Sequence, residues 1–401
     1  MKKSILSGAA LAFLLAVCPI TGEAADKGND IADHTSAVNQ TAEQGEYIKG
    51  EVIVKFEDDA AHQNKGAALN ELNAQVTPDK DPVKSSFKVL EVGNVDKAVK
   101  ALNNNPNVEY AEPNYKMEST WSPNDPYANR DYQYGLFTTN TNNAWDVTRG
   151  SSNQEIAVVD TGVDYNHEDL SDKTILGYDF VENDDDPLDQ NGHGTHVAGT
   201  AAAETNNGTG VAGMAPESSI LAVRVLDAQG SGSLANIVDG IRYAADHGAE
   251  VINLSLGCDC DTQAMEDAVN YAWNKGSVVI AAAGNAGVST QFEPASYDNV
   301  IAVAAVDSQN NLASFSNYGS WVDVAAPGVD IASTVQRNGY AYMSGTSMAS
   351  PHVAGLAGLL AAQGRDNAEI RSAIENTANP ISGTGSNFEH GLIDSESAVK
   401  Y

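Results

Sequence analysis

Three short segments hold side chains that become reactive only in company. Val158-Val159-Asp160-Thr161-Gly162 ends an apolar run on a carboxylate, Asn191-Gly192-His193-Gly194-Thr195-His196 sets an imidazole among glycines, and Ser344-Gly345-Thr346-Ser347-Met348-Ala349 puts a hydroxyl at the start of an Ala, Gly and Leu stretch. A serine hydroxyl is inert until a base removes its proton, and that base needs a carboxylate to fix its tautomer and orientation. Asp160, His193 and Ser347 supply one of each, with Ser347 as nucleophile, His193 as base and acid, and Asp160 as orienter. A fourth segment, Ala281-Ala282-Ala283-Gly284-Asn285-Ala286-Gly287, follows an apolar run and offers the Asn285 amide, beside the Ser347 N–H, to a developing oxyanion.

Each piece has a plainer reading. Ser347 alone would be a helix N-cap. Asp-Thr-Gly occurs in aspartic proteases, but this chain carries no second copy for Asp160. His193 and His196 could share a helical face around zinc, yet the Glu beside the first His and the second His four residues on are both missing. The order Asp, His, Ser, and Ala349 in place of the final Gly of G-x-S-x-G, speak against an esterase of the α/β-hydrolase type. Gly208-Thr209-Gly210-Val211-Ala212-Gly213 spells a dinucleotide fingerprint but sits after a helix and before a strand, the wrong context.

The elements that must carry these groups are legible as alternating runs. Near-continuous Val, Ile, Leu and Ala at 155–159, 220–225, 251–256, 278–282 and 300–306 reads as strands buried on both faces. Helices are expected at 193–203, 233–247, 262–275 and 347–363. The pattern predicts an α/β fold, a doubly wound, mostly parallel sheet flanked by helices, with its site beyond the carboxyl ends of the strands. Ahead of it, strands at 51–56, 74–77, 87–92 and 108–111 and helices at 60–72 and 95–102 give a β-α-β-β-α-β count, that of a small ferredoxin-like α+β domain.

The 401 residues open with Lys2 and Lys3, an apolar run from Ile5 to Val17 and small residues to Ala25, the pattern of a secretory signal peptide over 1–25. The run is shorter than the roughly 18 to 20 residues that span a bilayer. Leu15-Ala16-Val17-Cys18 is a poor lipoprotein box, with Val17 before the Cys and Pro19 after it. Residues 26–46 are polar and linker-like, and turn chemistry at Ser122-Pro123-Asn124-Asp125-Pro126 suggests processing near Thr120 and Trp121. Residues 121–401 hold 36 Asp and Glu against 10 Lys and Arg, which is −26 of the chain's net −32. Nucleic acid and anionic membranes are therefore not expected partners.

Asp179-Phe180-Val181-Glu182-Asn183-Asp184-Asp185-Asp186 packs five carboxylates into eight residues, a density of hard oxygen that suits calcium unless it is simply a solvated loop. Cys258 and Cys260 remain once Cys18 leaves with the signal peptide; in an oxidising setting they close a small ring, with a metal pair or two free thiols as alternatives.

Taken together, the segments around Asp160, His193, Asn285 and Ser347 resemble the subtilisin-like serine proteases, and 121–401 looks most like the calcium-binding thermostable members grouped with thermitase. The resemblance implies a secreted, monomeric, thermostable serine endopeptidase acting on polypeptides, with 26–120 as a prosegment whose domain, about 47–116, inhibits the enzyme until it is cut away. It implies that substrate pairs as a strand with Gly230-Ser231-Gly232 on one side and Ser255-Leu256-Gly257 on the other. Ala282, Ala283 and Gly284 would wall the first pocket, Phe292 would make it shallower, and Leu234 would line the fourth. It also implies calcium held by Asp179, Glu182, Asp184 and Asp186, and a tighter calcium site on Asp125, Asp169, Asn207, Thr209 and the carbonyls of Glu204 and Val211. Glu204 and Leu188 depart from the residue types expected there. A bridged Cys258–Cys260 departs from the usual family pattern and would stiffen the cleft rim. The rival from another class is a catalytically silent peptide-binding module on the same fold, which a missing triad member would have signalled.

Overall fold

The computed structural model describes residues 18–19, 47–57, 69, 74–76, 86–116 and 121–401. Apart from Cys18 and Pro19, the expected signal peptide, the linker 26–46 and the run 117–120 lie outside them. Contacts divide the chain into two compact units, Ala25–Ser119 and Thr120–Tyr401 with Met1–Ala24.

In the smaller unit β1 (Tyr47–Phe56), β2 (Gln75–Val76), β3 (Lys88–Glu91) and β4 (Val108–Tyr115) form an antiparallel sheet in the order β2-β3-β1-β4. Helix α1 (Val95–Asn103) is started by Asn94, whose side chain accepts the Lys97 N–H. It presents Val95, Ala98 and Leu102 to Val52, Val54 and Leu90. This is the ferredoxin-like order; of the helix expected at 60–72 only Leu69 is described, and it is helical.

The larger unit is built on β5 (Glu155–Asp160), β6 (Thr174–Asp179), β7 (Ser219–Arg224), β8 (Val251–Leu254), β9 (Val278–Ala282), β10 (Val300–Val306), β11 (Val324–Pro327), the hairpin β12 (Ile331–Val335) and β13 (Gly339–Met343), and β14 (Gly391–Leu392). All but the hairpin join one parallel sheet in the order β14-β11-β10-β9-β8-β5-β7-β6. Side-chain alternation sorts each strand between two cores. Ile156, Val158, Val278, Ile280, Ile301 and Val303 join one; Ala157, Val159, Val279, Ala281, Val300 and Ala302 join the other. All seven residues of β10 are buried, and burial of each Val or Ile contributes about 1.5 to 3 kcal/mol.

Helices cover both faces. α2 (His193–Ala202) and the long helix α5 (Thr346–Ala361) pack on the first core, and α3 (Leu234–His247) and α4 (Gln263–Lys275) on the second. α5 is apolar all round and buried except at Ser347. The chain lays β6 and β7 on one side of β5, then crosses to add β8 on the other. Strand order reverses there, so a crevice opens beyond the carboxyl ends of β5 and β8.

The expected strands at 155–159, 220–225, 278–282 and 300–306 and the four expected helices fall within two residues of the observed ones. The strand expected at 251–256 is also matched within two residues, ending at Leu254. Strands β6, β11, β14 and the β12–β13 hairpin were not expected. β6 breaks the apolar run with an exposed Ile175 and Leu176 on the sheet edge, and β11 and β14 are too short to show a period.

Candidate active site

Asp160 closes β5, fully buried, and its Oδ1 takes the Thr161 N–H at 2.7 Å and lies 2.7 Å from His193 Nδ1. Gly192, at φ 108°, turns the chain into α2, and Gly194 lets that helix close on the strand: an ideal Cβ there would lie against Gly162 O and 3.2 Å from Asp160 Oδ1. Burial pulls the His193 pKa down, but the Asp160 charge and hydrogen bond, with Asp189 behind them, outweigh it and raise the pKa above its ordinary value.

Asp189 escaped the sequence reading. It is 4 % exposed, and its Oδ1 takes Thr161 Oγ1–H and the N–H groups of Asn191 and Gly192, while Oδ2 takes Thr195 N–H and Oγ1–H. Thr161 Oγ1 in turn accepts the Gly194 N–H at 2.9 Å. One buried carboxylate therefore ties the Asp160 turn to the start of the His193 helix. Its only sequence signal is an Asp four residues ahead of a His among turn-forming Gln, Asn and Gly.

His196 points elsewhere. Its Nε2 lies 2.9 Å from Ile331 O and 3.2 Å from Ala341 O, it is fully buried, and burial drives its pKa down to about 3. It anchors the β12–β13 hairpin instead of sharing a ligand with His193.

β5 and β8 pair in parallel from Ile156 with Val251 to Val158 with Asn253, so Asp160 and Ser255 stand beyond this pairing at the same end of the sheet. Ser347 is joined to Ser255: its hydroxyl donates to Ser255 O at 3.1 Å, and Ser255 Oγ donates to Ser347 O at 2.8 Å. The hydroxyl is thus directed at a carbonyl of the cleft wall and not at His193, and a rotation about its Cα–Cβ bond is required to present it to the imidazole.

Asn285 lies opposite. Its Oδ1 accepts the Thr346 N–H at 2.8 Å and Oγ1–H at 2.9 Å, which leaves Nδ2 as the donor turned outward. The Ser347 N–H, in the first turn of α5, has no intrahelical acceptor. Asn285 and the Ser347 N–H thus meet at the start of α5.

The cleft walls follow. Ser255, Leu256 and Gly257 leave β8, and Gly230 (φ 75°), Ser231 and Gly232 lie ahead of Leu234, which is 38 % exposed at the start of α3. Ala282 and Ala283 are buried at the end of β9. The Phe292 ring packs on Gly284, 3.1 Å from where a Cβ would stand, and against Gly257, so it fills the slot between the two segments. Cys258 exchanges two backbone hydrogen bonds with Glu293, and its sulfur is bonded to that of Cys260 across a Cα separation of 5.2 Å.

The two acidic sets differ. Asp125 and Asp169 are 5 % and 0 % exposed and converge on one loop: Asp125 accepts the N–H groups of Asn206 and Asn207, and Asp169 accepts Asn207 Nδ2–H, Val211 N–H and Tyr340 O–H. Burial pushes the Asp169 pKa up against those hydrogen bonds, and among the described residues no Lys or Arg bridges either carboxylate. In the other set Asp179 Oδ1 accepts the Val181 and Glu182 N–H groups, and its Oδ2 bonds to Arg224 at 2.5 Å, both partners buried. Glu182, Asp184 and Asp186 are exposed, and Asp186 accepts the Tyr165 hydroxyl. Among the described residues no three His, Cys, Asp or Glu side chains cluster closely enough to hold a metal. No helix among them is long and apolar enough to cross a membrane.

Comparison with known proteins bears on the same regions. Residues 151–392 match the subtilase family, and residues 33–114 match the fervidolysin N-terminal prodomain. The chain is 63 % identical over 402 residues to the thermophilic serine proteinase of Bacillus sp. (strain AK1), with 100 % of each chain covered. It is 57 % identical over 281 residues to thermitase of Thermoactinomyces vulgaris, covering 70 % of this chain and 100 % of thermitase. A solved structure of proteases from Pseudoalteromonas arctica PAMC 21717 superposes with a TM-score of 0.64 at 34 % identity, covering 70 % of this chain and 99 % of that one. This chain belongs to the subtilase family of serine proteinases and carries a prodomain ahead of its subtilase domain.

Proposed function

We propose that the protein is a secreted endopeptidase that cleaves internal peptide bonds through an acyl-enzyme on Ser347. The observation that carries this reading is the buried Asp160–His193 hydrogen bond at the carboxyl end of β5, on the same sheet end from which Ser255, just past β8, accepts the Ser347 hydroxyl. Substrate entering the crevice displaces that hydroxyl toward His193. The imidazole takes its proton as Oγ attacks the scissile carbonyl, and later returns a proton to the leaving amine. Asp160 holds the imidazole and stabilises the imidazolium. Asn285 Nδ2 and the Ser347 N–H receive the oxyanion.

The substrate backbone pairs with 230–232 and 255–257. Ala282, Ala283, Gly284 and Phe292 set a shallow first pocket, and Leu234 lines the fourth. Residues 1–25 serve as signal peptide and 26–120 as prosegment, with 26–46 as linker and about 47–116 as the inhibitory domain. The enzyme cuts itself free near Trp121, and 121–401 is the mature, monomeric, thermostable form. The prodomain match supports this division.

Calcium fits the Asp125, Asp169, Asn207, Thr209, Glu204 and Val211 loop, whose two buried carboxylates make no salt bridge with Lys or Arg among the described residues. Bound there it would offset their burial and fasten the segment after Trp121 to the body. The Asp179, Glu182, Asp184 and Asp186 loop fits less well, because Arg224 and two amides already engage Asp179. The Cys258–Cys260 bridge stiffens the cleft rim.

Expression of the Ser347→Ala precursor tests the scheme. It should stay full length apart from signal removal while wild type is trimmed near Trp121. Efficient trimming of the pure mutant, with no other protease present, would contradict it.

A further inference from the structure

We infer that Ser255, with Ser350 and Asn253 behind it, is a positioning device that sets where the nucleophile stands. This rests on the reading of Ser347 as nucleophile.

Pro351 lies inside α5, four residues after Ser347. In a regular helix the Ser347 carbonyl would accept the N–H of residue 351, and proline has none. The carbonyl of the nucleophilic residue is therefore left without its helical partner, and Ser255 Oγ supplies the missing donor at 2.8 Å.

The hydroxyl of Ser255 has no freedom to do otherwise. A serine oxygen offers one hydrogen and two lone pairs. Its hydrogen goes to Ser347 O, so the Ser350 hydroxyl at 2.8 Å and the Asn253 Nδ2–H at 2.9 Å must both donate to it. All three residues are buried: Asn253 and Ser350 at 0 % exposure, Ser255 at 4 %.

The backbone carbonyl of the same Ser255 receives the Ser347 hydroxyl at 3.1 Å. One residue of the cleft wall thus grips the nucleophile twice, by its backbone carbonyl and by the helix carbonyl behind it. The wall that pairs with substrate and the first turn of the nucleophile's helix move as one. Losing the Ser255 hydroxyl lets the helix start shift by a fraction of an ångström, and displacements of about 1 Å at a reacting atom cost on the order of a hundredfold in rate.

Matured wild type, Ser255→Ala, Ser350→Ala and the Ser255→Ala/Pro351→Ala double variant are compared on a peptide anilide, at equal concentrations of sites titrated with a fluorophosphonate. Ser255→Ala should lower kcat about 10- to 100-fold with KM within about threefold. Ser350→Ala, which removes one of the two accepted bonds, should lower kcat about threefold or more. The double variant should regain about threefold or more of the kcat lost in Ser255→Ala, because replacing Pro351 returns a backbone N–H to the Ser347 carbonyl. A kcat for Ser255→Ala within about twofold of wild type, a loss confined to KM, or no recovery in the double variant overturns the inference. Should Ser255→Ala not accumulate as folded protein, Ser350→Ala decides alone, and an unchanged kcat there overturns it. Failure of the underlying nucleophile reading would look different, as wild type that the fluorophosphonate does not label at Ser347.

Discussion

Asp160 and Ser347 sit at the mouths of neighbouring strands, yet the fold treats them in opposite ways. Asp160 is sealed, with Oδ1 on His193 and the Thr161 amide, and Asp189 ties the surrounding turn to the His193 helix. Ser347 is the half-buried exception on a buried helix, and its hydroxyl is parked on the Ser255 carbonyl. On the proposed function the acid–imidazole half is finished before substrate arrives, while the hydroxyl half waits to turn. A charge that develops in a low-dielectric site is best stabilised by fixed geometry; a nucleophile that must attack and then leave needs one degree of freedom.

The sharpest way to break this contrast is Asp160→Asn, which keeps the shape but holds the wrong tautomer. A fall in kcat of about 10⁴-fold is expected by steady-state kinetics with a peptide anilide. Asn285→Ala should follow at about 10²- to 10³-fold in kcat with KM nearly unchanged, a magnitude that comes from a subtilisin, a member of this family. Comparable losses from the two changes would erase the distinction between a pre-set half and an oxyanion site used only in the transition state.

The pH dependence sharpens the same comparison. His193 must be neutral to act as base, and Asp160 raises its pKa, so the acid limb of kcat/KM should lie above the ordinary histidine value of about 6.5. The sign for stability is opposite. A raised folded pKa contributes stability that is full below about 6.5 and is lost as pH climbs through the folded value. NMR titration of the imidazole in the Ser347→Ala protein should show that Asp160→Asn moves it downward, since burial, the largest influence, is then opposed only by Asp189. An upward or absent shift would contradict the assigned role.

Calcium removal should have the smallest effect on the chemistry and a visible one on heat resistance. The two acidic loops repeat the contrast: one has buried carboxylates with no Lys or Arg salt bridge among the described residues, the other has its anchor already paired with Arg224. Calcium at about 100 times its Kd stabilises by about 2.7 kcal/mol, which a chelator would remove. The resulting drop in unfolding temperature, several degrees by calorimetry, should vanish in Asp169→Asn and persist in Asp184→Asn.

Much of the site was legible because its groups stand at element ends that sequence marks well. Asp160 ends a buried strand, His193 and Ser347 open helices, and glycines flank all three. What was not legible depends on pairing across the chain. Nothing near Asp189 shows that it will gather five donors, and Asp179 read as a metal ligand because Arg224 is 45 residues away in sequence. Carboxylate density gives charge but not its partners. The parked Ser347 hydroxyl likewise depends on where Ser255, just past the end of β8, meets the start of α5, which no local pattern encodes.

The central claim is that one hydroxyl among many is activated by a distant imidazole and carboxylate. Matured protein is treated with a fluorophosphonate, and the modified peptide is mapped by mass spectrometry in wild type and in His193→Ala. Stoichiometric modification of Ser347 in wild type, slowed by several orders of magnitude in His193→Ala, is expected. Modification elsewhere, or equal labelling of Ser347 in both proteins, would contradict the account.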